Sequence, residues 1–287
     1  MIIDSHTHIL PDDFRTDTER FLRADQTFRD LFSSPRARSA SAGELVHAMN
    51  EAGVDMAVAA GYGWTSIHVA KMSNDYILEA ARRQPDRIIP FCSASPLWGR
   101  EAVLELERCA AAGARGIGEL HPDSQGFLNS DFATLAPFFD AARSLDLPVL
   151  LHTSEPVGHS YRGKGTVIPE LSLALAEAFP QNRFIFAHFG GGLPFYSLMP
   201  EVRTALKNVR FDSAASPLLY GPQVYRAASD AAGADSLLFG SDYPLVSQRK
   251  ALDELERSGG LDDHETALVL GKNAARFLST GPGRRPA

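Results

Sequence analysis

Two histidines stand two residues apart near the start of the chain, in Met1-Ile2-Ile3-Asp4-Ser5-His6-Thr7-His8. In an extended strand, residues i and i+2 point to the same face, so both imidazoles can approach one divalent ion. Taken alone, the pair could equally cap a strand end. Three further donors follow short hydrophobic runs: Pro148-Val149-Leu150-Leu151 leads to His152, Phe184-Ile185-Phe186-Ala187 to His188, and Leu237-Leu238-Phe239-Gly240-Ser241 to Asp242. Neutral imidazoles and one carboxylate suit Zn²⁺, leave a coordination position for water and lower that water's pKa toward ~7. The hydroxide so formed attacks a carbonyl-type centre, and Asp242 is placed both to ligate and to accept the water's proton. His188 has two candidate roles, ligand of a second ion or base beside the first.

Ligands from four different strands meet only if the sheet curls on itself, as a closed barrel does. Eight strand candidates, at 1–5, 54–60, 88–94, 114–120, 148–152, 183–188, 209–213 and 237–241, alternate with amphipathic helical patterns. This predicts an α/β fold, a single-domain (β/α)8 TIM barrel over residues 1–279. An open doubly wound sheet would gather ligands from two or three strands only. Residues 11–40 form a long insertion after strand 1, placed by the barrel rule over the catalytic face as a lid or a solvated loop. The tail 280–287, Thr-Gly-Pro-Gly-Arg-Arg-Pro-Ala, reads as disordered.

The 287 residues, 44% of them hydrophobic, suffice for one large core. A net charge of −7 and the lack of a basic run argue against nucleic-acid and membrane partners and leave a small-molecule substrate as the expected partner. A homo-oligomer is compatible with the composition. Cys92 and Cys109 are too few for a disulfide framework and read as buried thiols. The absence of a leader-like N-terminus or a long apolar run predicts a cytoplasmic protein.

His6-Thr7-His8, His152, Phe186-Ala187-His188-Phe189-Gly190-Gly191 and Gly240-Ser241-Asp242-Tyr243-Pro244 together resemble the amidohydrolase superfamily, and within it the amidohydrolase-2 group. The resemblance in element order runs from Met1 to about Leu278. It implies a metal-dependent barrel enzyme, usually a hydrolase of C–N or C–O bonds, with some members acting as non-oxidative decarboxylases. The expected activity is therefore hydrolysis of a small lactone, amide or cyclic amide. Decarboxylation of a small carboxylic acid is the alternative, and a metal-dependent nuclease on the same barrel a more distant one. The intact His-x-His start leans toward hydrolysis, because several aromatic-acid decarboxylases of the family carry a carboxylate in place of the first histidine.

Glu119, in Gly116-Ile117-Gly118-Glu119-Leu120-His121, falls where other branches of the superfamily place a carboxylate bridging two metals. Gly116 and Gly118 leave room in the barrel for it, and a buried carboxylate needs a cation or donors. The competing reading is a salt bridge to Arg115 or a contact that orients a histidine. The number of ions, one or two, stays open. Asp4 shares the parity of His6 and His8 and reads as structural. Substrate contacts are expected from Tyr62 and Trp64 after strand 2 and from His159, Tyr161, Arg162 and Lys164 on the Gly-rich loop after His152; His121 beyond Glu119 and Tyr220 after strand 7 are weaker candidates.

Overall fold

The structure, a computed structural model, describes residues 1–127, 131–161, 163–258 and 260–278. The predicted tail at 280–287 and Arg162 lie outside the described residues. Eight parallel strands follow in sequence order around the sheet: β1 (Ile3–His8), β2 (Met56–Ala60), β3 (Ile88–Cys92), β4 (Gly116–Leu120), β5 (Val149–Leu151), β6 (Phe184–Phe186), β7 (Val209–Asp212) and β8 (Leu237–Leu238). Backbone bonds from Ser5 N–H to Phe239 O, His8 N–H to Tyr243 O and Asp242 N–H to His6 O bring the segment after β8 against β1. The result is the predicted (β/α)8 barrel, with helices between successive strands. Helix ends follow local chemistry: Ser41 and Glu44 form a reciprocal cap at the start of Ala42–Ala52, and Gly53 ends that helix in the left-handed conformation.

Side chains divide by face. Ile3, Val58, Ile89, Phe91, Leu150, Ile185 and Leu238 fill the barrel interior, while Ala57, Ile117, Val149, Phe184 and Val209 pack outward against the helices. The pairing of β4 with β5 slips by one residue, because Ile117 pairs with Val149 and Leu120 with Leu151. Ile117 and Leu120 both face the helices, so the extra residue between them turns Glu119 into the barrel mouth. Gly116 and Gly118 play a different part from the one expected. A Cβ at Gly116 would fall within 2.3 Å of the Phe91 ring, and one at Gly118 within 2.4 Å of the Leu150 carbonyl oxygen. The glycines admit Phe91 and β5, and the bulge admits Glu119.

A matching slip between Asp4 and Thr7 separates Asp4 from the face of His6 and His8. Asp4 instead accepts from Ser241 N–H (2.9 Å), Ser241 Oγ (2.6 Å) and Gln248 Nε2 (2.8 Å), tying β1 to the final segment. Burial outweighs these bonds and raises its carboxyl to about 6.

Within 11–40 lie three short helices, α1 (Asp12–Thr16), α2 (Thr18–Ala24) and α3 (Gln26–Phe32). Their Phe14, Phe21 and Phe28 form a separate apolar cluster with Tyr62 and Trp64. Asp25 caps α3 through Phe28 N–H and also accepts from Thr65 N–H (2.8 Å) and Ser66 N–H (2.7 Å). Ser124 Oγ donates to Asp30 at 2.8 Å. The insertion is thereby fastened to the segments that follow β2 and β4.

Candidate metal centre

At the C-terminal mouth of the barrel, His6, His8, Glu119, His152, His188 and Asp242 converge, all of them buried. Their hydrogen bonds fix which imidazole nitrogen faces inward. His6 Nδ1 lies 2.9 Å from the Asp212 carboxylate and His8 Nδ1 3.2 Å from the Gly61 carbonyl, so in the neutral rings both Nδ1 atoms carry the proton. The two Nε2 atoms then point lone pairs at each other across 3.1 Å, an arrangement that is favourable only around a cation. They stand 3.7 Å and 3.5 Å from Glu119 Oε2 and 3.8 Å and 3.4 Å from Asp242 Oδ1. A second group faces the other oxygen of Glu119. His152 Nδ1 lies 3.0 Å from Oε1 and His188 Nε2 3.7 Å, and the two nitrogens are 3.2 Å apart. His188 Nδ1 donates to Ala214 O at 3.0 Å, which again leaves Nε2 bare.

Two triads, His6–His8–Glu119 and Glu119–His152–His188, therefore share one carboxylate. Donors spaced in this way suit ions held ~2.0–2.2 Å from each nitrogen or oxygen. Two members sit in strained backbone: His188 has φ 56° and Asp242 φ 66°, a conformation costing non-glycine residues about 1–2 kcal/mol.

The electrostatics agree. Burial works against a charged carboxylate at Glu119, yet His121, His6 and His152 hold it well below its ordinary range. Asp242 is likewise held low, against burial, by His8 and His6. Burial alone would lower His6, but Asp212 and Glu119 raise it well above 6.5. His188 rises to about 9, burial being overcome by Glu119 and Asp242. Negative charge at the centre therefore draws positive charge, as protons on His6 and His188 when no metal is present or as a metal ion held by the neutral rings.

Above this floor opens a cavity of about 600 Å³. Leu31, Phe32, Tyr62, Leu218, Leu219 and Leu245 supply apolar wall, and Arg36, Arg38, His159 and Tyr161 also line it. Tyr62 stacks on His8 with ring centroids 4.1 Å apart, and His121 stacks on His152 at 4.9 Å. Of the residues expected to contact substrate, Tyr62, His121, His159 and Tyr161 line the cavity. Trp64 and Lys164 do not. Trp64 is fully buried against Phe14, Phe28 and Tyr62, and Lys164 spends its ammonium on Val157 O and His159 O, 2.7 Å and 3.3 Å away. Tyr220 is packed against the Phe189 ring, and Arg115 donates to Leu278 O rather than to Glu119.

Asp212, Arg36 and Arg38 escaped the sequence reading. Asp212 ends β7 as His8 and Glu119 approach the ends of theirs, a signal obscured by Arg210 in the same strand. The arginines lie in an insertion whose path no periodicity predicts.

The Amidohydrolase family model matches residues 3–280. The chain belongs to the amidohydrolase family. Like other amidohydrolases it is a metal-dependent enzyme on a TIM barrel, and its two His/Glu triads suit a divalent ion. It is 27% identical to gamma-resorcylate decarboxylase of Polaromonas sp. over 66% of this chain and 70% of that protein. It is 26% identical to the Rhizobium radiobacter gamma-resorcylate decarboxylase over 66% and 69%. Among solved structures it resembles 5-carboxyvanillate decarboxylase from Sphingomonas paucimobilis, with TM-score 0.75, 17% identity and coverage of 98% and 99%. It also resembles the manganese-bound dihydroxybenzoic acid decarboxylase from Polaromonas sp., with TM-score 0.71, 20% identity and coverage of 96% of each chain. These relatives overturn the expectation of hydrolysis: they are decarboxylases, although this amidohydrolase keeps the His-x-His start. The first ligand's identity is a poor guide to the reaction because imidazole and carboxylate can both hold the ion. No helix among the described residues is long and apolar enough to cross a membrane.

Proposed function

We propose that this amidohydrolase catalyses non-oxidative decarboxylation of a small hydroxy-substituted aromatic acid. The observation that carries the reading is the convergence of imidazole and carboxylate donors beneath an apolar-walled cavity, in a chain whose curated relatives are named as decarboxylases. His6, His8, Glu119 and Asp242 would hold one divalent ion, and Glu119, His152 and His188 would suit a second. Manganese, the ion bound in the structural neighbours, and zinc both suit this donor set. When bound, the ion supplies Lewis acidity to the substrate's carboxylate and hydroxyl oxygens.

The chain's own residues do the rest. Phe32, Tyr62, Leu218 and Leu245 strip water from the aromatic ring, which favours conversion of a charged carboxylate to neutral carbon dioxide. Asp242, ionised and facing the cavity, takes the proton of the substrate hydroxyl and returns it to the ring carbon as the C–C bond breaks; water then reprotonates the hydroxyl oxygen. The fastened insertion, 11–40, serves as a fixed wall of the cavity, and His121 and His159 with Arg36 and Arg38 contact the substrate.

Metal-loaded protein incubated with 2,6-dihydroxybenzoate, 5-carboxyvanillate and related hydroxybenzoates in D2O should release carbon dioxide and place one deuterium on the vacated carbon. Asp242→Asn should slow turnover by ~10²-fold or more while retaining metal. No carbon dioxide from any hydroxy-aromatic acid, with the ion demonstrably bound, rejects the reading.

A further inference from the structure

We propose that Asp212 is the positioning residue that keeps both halves of the metal centre in ligating form. This rests on the reading of the cluster as a metal site. Asp212 closes β7, is fully buried, and uses both carboxylate oxygens. Oδ2 accepts from His6 Nδ1 at 2.9 Å. Oδ1 accepts from the backbone N–H groups of His188 and Ala214, each at 3.0 Å. One side chain therefore touches the ring of a histidine in the first triad and the main chain of a histidine in the second.

Its two contacts act differently. A carboxylate has no proton to offer, so Nδ1 of His6 must carry one, and in the neutral, ligating ring Nε2 is the bare nitrogen facing His8 and Glu119. An amide nitrogen in the same place would donate to Nδ1, drive the ring proton to Nε2 and leave His6 unable to ligate. On the other side, His188 occupies a left-handed turn at φ 56° and ψ 47°. Oδ1 anchors that turn twice, at His188 itself and at Ala214, whose carbonyl in turn receives His188 Nδ1. The bracket from Asp212 to Ala214 thus aims His188 Nε2 toward Glu119.

This division of labour gives distinct outcomes for two substitutions. Asp212→Asn keeps an acceptor for the two backbone N–H groups and loses proton control over His6; Asp212→Ala loses both contacts. Chelator-stripped proteins are titrated with manganese and with zinc against a chromophoric competitor, a readout independent of turnover. Asp212→Asn should weaken the half-site containing His6 by ~10–100-fold and leave the other within about twofold, whereas Asp212→Ala weakens both. In a His6→Ala background, Asp212→Asn should have no further effect. An Asp212→Asn protein that binds as tightly as a metal-loading parent overturns the assignment alone. A parent that takes up no ion overturns the metal reading and this assignment with it. Should Asp212→Asn fail to fold, ring ¹H–¹⁵N correlations of the zinc-loaded parent decide: a proton on His6 Nδ1 and the ion on Nε2 are expected, and zinc bound through Nδ1 refutes the proposal.

Discussion

At the scale of single residues, the centre turns on Glu119, whose two oxygens face different histidine pairs. An ionised carboxylate this deeply buried is costly unless cations or donors surround it. Equilibrated with excess divalent ion and desalted, the parent should retain two ions and Glu119→Gln one, because the amide cannot bridge with two anionic oxygens. One ion in both proteins would instead leave His188 free as an acid or base. His152, His188 and Asp242 were legible in the sequence because each follows an apolar run, where a polar residue is out of place, and His6 and His8 because of their i,i+2 spacing. Asp4 and Glu119 show the limit of that logic. Strict alternation puts Asp4 beside His6, and a slip in β1 separates them; Glu119 does face the barrel, but through a slip in β4 and not through the room expected from Gly116 and Gly118.

At the scale of elements, the eight strands were legible to within a few residues because parallel strands buried on both faces read as continuous apolar runs. The insertion was legible only as a length. Its helices have seven residues or fewer, too short for a periodicity to declare itself, and they are held by tertiary contacts. Asp25 carries much of that attachment. Asp25→Ala removes the α3 cap and the bonds to Thr65 and Ser66, a loss of about 2–4 kcal/mol in local stability. Amide exchange in 18–32 should accelerate by ~30-fold or more while the strands stay protected. Unchanged exchange there would mean that the phenylalanine cluster alone secures the insertion.

At the scale of the molecule, the ions and the fold are linked, since only the folded chain unites His6 with Asp242. With free ion at ~1,000 times its Kd, loading adds about 4 kcal/mol of stability, roughly 8–16 °C in Tm for a chain of this size. The sign of the pH dependence follows from the raised histidines. His188, moved from 6.5 to about 9, favours the metal-free fold while protonated, a gain fully present below 6.5 and lost as pH rises through about 9. Ligation requires the neutral ring, so the Tm gap between loaded and chelated protein should widen between those limits. A gap that stays flat or narrows would separate His188 from the ion. The meeting of β1 with the segment after β8 has a further consequence, for biogenesis. His6 and His8 precede the other donors along the chain, and Asp242, which completes their half-site, follows His8 by 234 residues. Until Asp242 has been made the nascent chain carries half a chelator, so capture of the ion at that half-site follows synthesis of the last strand.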